Sequence, residues 1–166
     1  MLHLLDTNVF VEAHRTYLAL DVAPTFWSWL TSGRAKGRIA SVRRVRDELT
    51  AGDAAGKRYP LARWALDVSE DFWLPVTSES VSALRELTAW AADPARPYSQ
   101  AAVSEFMDSA DLHLIAQAAG AGAVVVTREK PDPQCRRRVK IPDACEPLGV
   151  TCVDTYAFLR AAGLRL

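Results

Sequence analysis

The short apolar runs of this chain stop abruptly at polar or acidic residues. Leu2 to Leu5 ends at Asp6-Thr7-Asn8, the pattern of a buried parallel strand that runs straight into a polar loop and a helix. Ala123 to Thr127 carries the β-branched core Val124-Val125-Val126, follows Gly120 and Gly122, and ends two residues before Glu129. Val150 to Val153 reads as a third strand, leading into Asp154-Thr155-Tyr156, where Asp154 or Thr155 can cap a last helix. Arg38 to Val42 is a candidate for a fourth.

Helical spacing fills the intervals. Leu112, Ile115, Ala116 and Ala119 recur on one face, with Ser109 and Asp111 in front and Gly120 behind, and predict a helix that feeds into the Val124 strand. Val81, Leu84, Leu87 and Thr88 share the face of another helix, with Ser78 as its cap and Asp93-Pro94 as its close. Strands alternating with helices predict an α/β fold: an open, mostly parallel sheet with helices on both faces, binding its ligand at the carboxyl ends of the strands. Ala51 to Lys57 and Pro131 to Pro147 read as surface loops. No repeat or linker divides the 166 residues, so a single domain over 1–166 is expected.

At 49% hydrophobic residues the chain can bury a core, and 9 Pro with 8 Gly exclude disorder as its main state. Twenty basic and twenty acidic residues leave no net charge, so any attraction to a polyanion must be local. Cys135, Cys145 and Cys152 form an odd set without Cys-x-x-Cys, which suits a reducing cytosol and neither a disulfide framework nor structural zinc. The start of the chain lacks a basic, then apolar leader, and no apolar run approaches the roughly 20 residues of a membrane span. A soluble, cytoplasmic protein without a membrane partner is expected.

Asp6 and Glu129 should project from the same sheet edge, where the first turn of a neighbouring helix can bring Asp111 close. Glu48 adjoins the apolar seam of Val42, Val45 and Leu49 and should point partly inward. Each acid has an ordinary alternative: Asp6 as a helix cap, Asp111 as a partner of the helix dipole, Glu48 and Glu129 as solvated surface groups. Together they are costly to bury without a cation. Oxygen ligands with no histidine nearby suit Mg²⁺ or Mn²⁺, and such an ion acidifies a bound water and neutralises charge on a phosphate ester under attack. His3, His14 and His113 are too scattered to form a metal site.

These residues resemble the motifs of PIN-domain nucleases. Leu4-Leu5-Asp6-Thr7-Asn8-Val9-Phe10 looks like the family's opening motif, and Arg46-Asp47-Glu48-Leu49 is similar to its second acidic segment. Ala110-Asp111-Leu112-His113-Leu114-Ile115-Ala116 is similar to the third, and Val125-Val126-Thr127-Arg128-Glu129 to the strand-end Thr-x-Asp. The run from Arg138 to Cys145 resembles an uncharacterised PIN-like branch. The resemblance implies a three-layer fold and Mg²⁺- or Mn²⁺-dependent hydrolysis of RNA, with Asp6, Glu48, Asp111 and Glu129 as catalytic metal ligands and Asn8 and Thr127 in support. It also implies a toxin role, with a small antitoxin and a second copy of the chain as partners. Glu129 stands where the family has Asp, and Asp108, one helical turn before Asp111, or Asp143 could serve as the fourth acid instead.

Basic residues flank these acids in two clusters. Arg34, Lys36, Arg38, Arg43, Arg44 and Arg46 form the first; Arg128, Lys130, Arg136, Arg137, Arg138 and Lys140 form the second. A groove that tracks an RNA backbone would have this make-up, as would a solvated loop. Phe26, Trp27, Trp29 and Leu30 form an apolar stripe, read as core with a subunit interface as the alternative. A ribonuclease is the leading expectation, ahead of a silent RNA-binding or regulatory module of the same fold and a small-molecule phosphatase using the same metal.

Overall fold

The computed structural model describes residues 1–165, the side chains of Arg34 and Ala35 excepted, so the Arg34 member of the first basic cluster lies outside the described residues. Five strands form one sheet: β1 (His3–Leu5), β2 (Ile39–Val42), β3 (Trp73–Leu74), β4 (Val124–Val126) and β5 (Cys152–Val153). Their order is β3-β2-β1-β4-β5 and every pairing is parallel. His3 stands opposite Ile39 on one side and Val124 on the other. Leu4, Leu5, Ile39, Ala40, Val42, Val125 and Val126 are all buried, which is why β1 and β4 read as unbroken apolar runs rather than alternating ones, while the buried Ser41 of β2 donates to the Leu5 carbonyl.

Helices α1 (Thr7–Arg15) and α2 (Pro24–Ala35) join β1 to β2, and α3 (Arg43–Thr50) and α4 (Pro60–Asp67) join β2 to β3. The chain then returns through α5 (Ser78–Ala92), α6 (Gln100–Asp108) and α7 (Ala110–Ala121) to β4, and through α8 (Ile141–Cys145) to β5; α9 (Thr155–Ala161) follows. The first two crossovers step one way along the sheet and the next two step the other way. Right-handed connections therefore place the two sets of helices on opposite faces. The fold is α/β in three layers, consistent with the expected PIN-like arrangement, and the direction of travel reverses between β1 and β4, where such sheets bind ligands.

Several boundaries differ from expectation. Thr77, not Ser78, caps α5: its hydroxyl accepts from the Ser80 amide at 3.2 Å, while the Ser80 hydroxyl accepts from the Thr77 amide at 2.8 Å. The buried face of α5 is Ser80, Ala83, Leu87 and Ala91, so Val81 is exposed. Helix α7 ends at Gly122, whose φ of 61° suits glycine, rather than at Gly120. Gly120 serves packing instead, since a Cβ there would stand 2.7 Å from the Ser80 backbone nitrogen.

Pro131 to Pro147 is only in part a surface loop. Val139, Ile141, Ala144 and Cys145 are buried, and α8 begins with Pro142 in its first turn, where proline costs no hydrogen bond. Ala51 to Lys57 is a loop, pinned by the Asp53 carboxylate, which accepts from the Lys57, Arg58 and Tyr59 amides. Phe26, Trp27 and Leu30 are core, and Asp154 caps α9 through the Ala157 amide. Phe158 anchors α9 against His3 and Trp29. Among the described residues no helix is long and apolar enough to cross a membrane.

Candidate active site

Asp6 is the first residue beyond β1, and its amide donates to the Val126 carbonyl at 3.0 Å, which ties it to the end of β4. It occupies the N-cap position of α1 without making a capping bond. Its Oδ2 instead accepts from the Thr127 hydroxyl at 2.9 Å, and that hydroxyl oxygen accepts from the Glu129 amide at 3.2 Å. One threonine thus fixes two acids across the point where the sheet reverses.

Glu48 gathers three helices. Its Oε2 accepts from the Thr7 hydroxyl at 2.5 Å and its Oε1 from the Ala110 amide at 3.0 Å, placing one carboxylate on α3 at the starts of α1 and α7. Helix dipoles favour a negative charge there. Glu48 is an exposed residue at the mouth, and its carboxylate forms part of the cleft lining. The same junction brings Asp111, in the first turn of α7, toward Asp6.

Glu129 is anchored differently. Its Oε2 accepts from the Ile141 amide at 2.8 Å, and its Oε1 lies 3.1 Å from Arg138 Nη2 and 3.9 Å from Lys140 Nζ. Arg138 also stands 3.6 Å from Asp111. The acid centre therefore contains a guanidinium of its own.

A cleft of about 520 Å³ opens over this junction. Of the expected residues it is lined by Asp6, Asn8, Glu48, Asp108 and Asp111; Thr7, Glu105 and Ser109 join them unforeseen, and Arg138 enters from the second basic cluster. Asp108 ends α6 and Asp111 begins the next helix, so the two are not a turn apart on one helix. Asp143 is buried away from the cleft lining, where it accepts from the Asp132 amide at 2.9 Å. Glu129 does not line the cleft either, yet its charge reaches both buried aspartates.

Asp6 is 1% exposed and Asp111 8% exposed. Burial pushes Asp6 up to about 6, with Glu129 and Glu48 adding repulsion and the Thr127 hydroxyl opposing. Burial pushes Asp111 up to about 7, with Asp6 and Glu129 as further causes and Arg138 as the counterweight. Two carboxyls short of positive charge at neutral pH are a donor set that suits a hard divalent cation, held by Asp6 and Asp111 with Glu48 beside them. Among the described residues, no three His, Cys, Asp or Glu side chains stand close enough to share one ion as placed.

Four of the remaining basic residues are tied down. Arg43 and Arg46 pair with Glu70 at 3.4 and 2.7 Å, Arg44 donates to the Asp108 carbonyl at 3.1 Å, and Arg128 pairs with Glu12. Lys130, Arg136 and Arg137 are exposed on the segment leading to α8 and lie outside the cleft lining.

The family model of DUF4411, a domain of unknown function, matches residues 3–166, and the chain belongs to that family. No curated protein and no solved structure matches it.

Proposed function

We propose that this chain is a Mg²⁺- or Mn²⁺-dependent endoribonuclease. The observation that carries this reading is the meeting of Asp6 and Asp111 in one cleft at the ends of β1 and β4, both buried and both raised in pKa partly by neighbouring carboxylates. The motif resemblance and the three-layer fold support the same reading. A bound Mg²⁺ or Mn²⁺ supplies charge neutralisation for the phosphodiester and an acidified water as nucleophile. Thr127 holds Asp6 in orientation, Glu48 fixes the helix starts that present Asp111, and Arg138 offers a guanidinium to a phosphate oxygen. The toxin role, the antitoxin partner and the homodimer are proposed on the resemblance, and the cytoplasmic location on the odd cysteine set without Cys-x-x-Cys.

The test is cleavage of a labelled single-stranded RNA with Mn²⁺, with and without chelator. Cleavage that needs the metal and falls to background in Asp6→Asn, with unchanged circular dichroism, is the expected result. Full activity in that variant would overturn the proposal.

A second reading, a silent RNA-binding module, is favoured by the guanidinium already lodged against Asp111 and Glu129. It predicts RNA binding with no calorimetric Mn²⁺ binding at millimolar metal.

A further inference from the structure

Residues 138–141 alternate in and out. Val139 and Ile141 are buried in the core, and the extended backbone at Lys140, with φ of −86° and ψ of 140°, turns Arg138 and Lys140 to the opposite side. Glu129 meets both of them there. Its side chain is 9% exposed and that of Arg138 44%, so the carboxylate is enclosed while the guanidinium still reaches the open cleft.

Both oxygens of Glu129 are engaged by this segment. Oε2 takes the Ile141 amide, and Oε1 faces Arg138 and Lys140 together. The Glu129 amide in turn donates to the Thr127 hydroxyl that orients Asp6, so one residue ties the segment to the end of β4. A carboxylate matched with two cations and an amide has little charge left for a metal, and Glu129 is absent from the cleft lining that Asp6, Glu48 and Asp111 share. Arg138 does line that cleft, and both of its ion pairs use Nη2. A guanidinium carries five N–H donors, so others stay available to phosphate oxygens.

We infer that Glu129 is a positioning residue and not a metal ligand: it fastens residues 138–141 beside the acid cleft and so aims the Arg138 guanidinium at a phosphate of the strand lying there. The inference rests on the nuclease reading and adds to it the group that places the phosphate clamp. A free arginine loses side-chain entropy when it grips a phosphate, whereas one already held by Glu129 has lost it beforehand. The length of the side chain matters as well. Glu129→Asp shortens it by one C–C bond, about 1.5 Å, which from the same backbone puts the Ile141 amide, now at 2.8 Å, beyond hydrogen-bond reach.

The test is Glu129→Gln in the full chain, which keeps an acceptor for the Ile141 amide and removes the charge that holds Arg138. Calorimetry with Mn²⁺ should give an affinity within about threefold of the unsubstituted chain, because no ligand is lost. A larger loss would make Glu129 a ligand and overturn the inference. RNA binding is read by fluorescence anisotropy of a labelled single-stranded oligoribonucleotide in the Asp6→Asn background, where nothing is cut. Glu129→Gln and Arg138→Gln should each weaken it about tenfold, and the two together no more than either alone, because they act as one unit. Loss of a negative charge would by itself strengthen RNA binding, so the sign of the change isolates positioning from net charge. Unchanged or tighter binding in Glu129→Gln overturns the inference, as do additive losses in the pair. In cleavage by the chain with Asp6 intact, Glu129→Gln should raise KM more than it lowers kcat; the reverse counts against positioning. The two readings fail separately. Absence of metal-dependent cleavage by the unsubstituted chain rejects the nuclease while the anisotropy cycle still scores Glu129, and absence of RNA binding rejects both.

Discussion

Arg138 places a guanidinium nitrogen 3.1 Å from Glu129, and the same group reaches Asp111 at 3.6 Å. The acid centre thereby has an internal cation that holds its charges together before any metal arrives. On the proposed reading, a divalent ion competes with it or displaces it.

Removing that competitor has a measurable consequence. In Arg138→Gln, calorimetry at pH 8 should show Mn²⁺ bound several-fold more tightly, while the metal-free protein melts at a lower temperature. Equal Mn²⁺ affinity in the two proteins would mean that the guanidinium never contends for the ion's place.

The raised carboxyls set a pH dependence. Asp6 stands near 6 and Asp111 near 7, against 3.8 for an ordinary aspartate, so between about pH 4 and 7 the folded chain binds more protons than the unfolded one. The contribution of these two groups to stability is therefore most favourable below that window and falls as pH rises through it, by on the order of 3 kcal/mol for Asp6 alone. Asp6→Asn should raise the melting temperature by several degrees at pH 8 and leave it nearly unchanged at pH 4. Metal binding should strengthen over the same window, because the protons must leave first.

Thr127→Val removes the donor to Asp6 and the acceptor for the Glu129 amide. The expected cost is roughly 1 to 3 kcal/mol in urea unfolding, with the Asp6 carboxyl titrating still higher by NMR. Thr127→Ser should restore both values.

Gly120→Ala tests helix packing apart from the site. Alanine favours a helix by about 1 kcal/mol over glycine, yet its Cβ would stand 2.7 Å from the Ser80 nitrogen and 3.1 Å from its Cα, backbone atoms that cannot swing aside. Net destabilisation of about 1 to 3 kcal/mol is expected, with metal binding unchanged. Stabilisation would show that α5 slides to accommodate the methyl.

Strands β1 and β4 were legible in the sequence because burial on both faces leaves an unbroken apolar signal that ends at a polar residue, and Val150 to Val153, interrupted by Thr151, was legible from Asp154-Thr155 after it. Trp73–Leu74 was not, since two residues carry no period. Residues 131–147 misled because their apolar members are spaced around prolines, and a five-residue helix is too short to show a repeat. Among the site residues, Asp6, Glu48 and Asp111 could be placed from their elements. Glu105 belongs to no motif in the sequence, and the turn that carries Arg138 over the acids depends on where α8 docks. The hold on Glu48 was not legible for a related reason: its partners, Thr7 and the Ala110 amide, are 41 and 62 residues away.

The central strand has a further consequence during translation. Leu5 finds its neighbour Val126, and Asp6 its partner Thr127, only after 121 more residues have been made, roughly 6 to 24 seconds at ordinary ribosomal speed. Through that interval the nascent chain carries its first acid without the wall that encloses it. A product stalled before residue 124 would have three of the five strands and an Asp6 without its Thr127 partner.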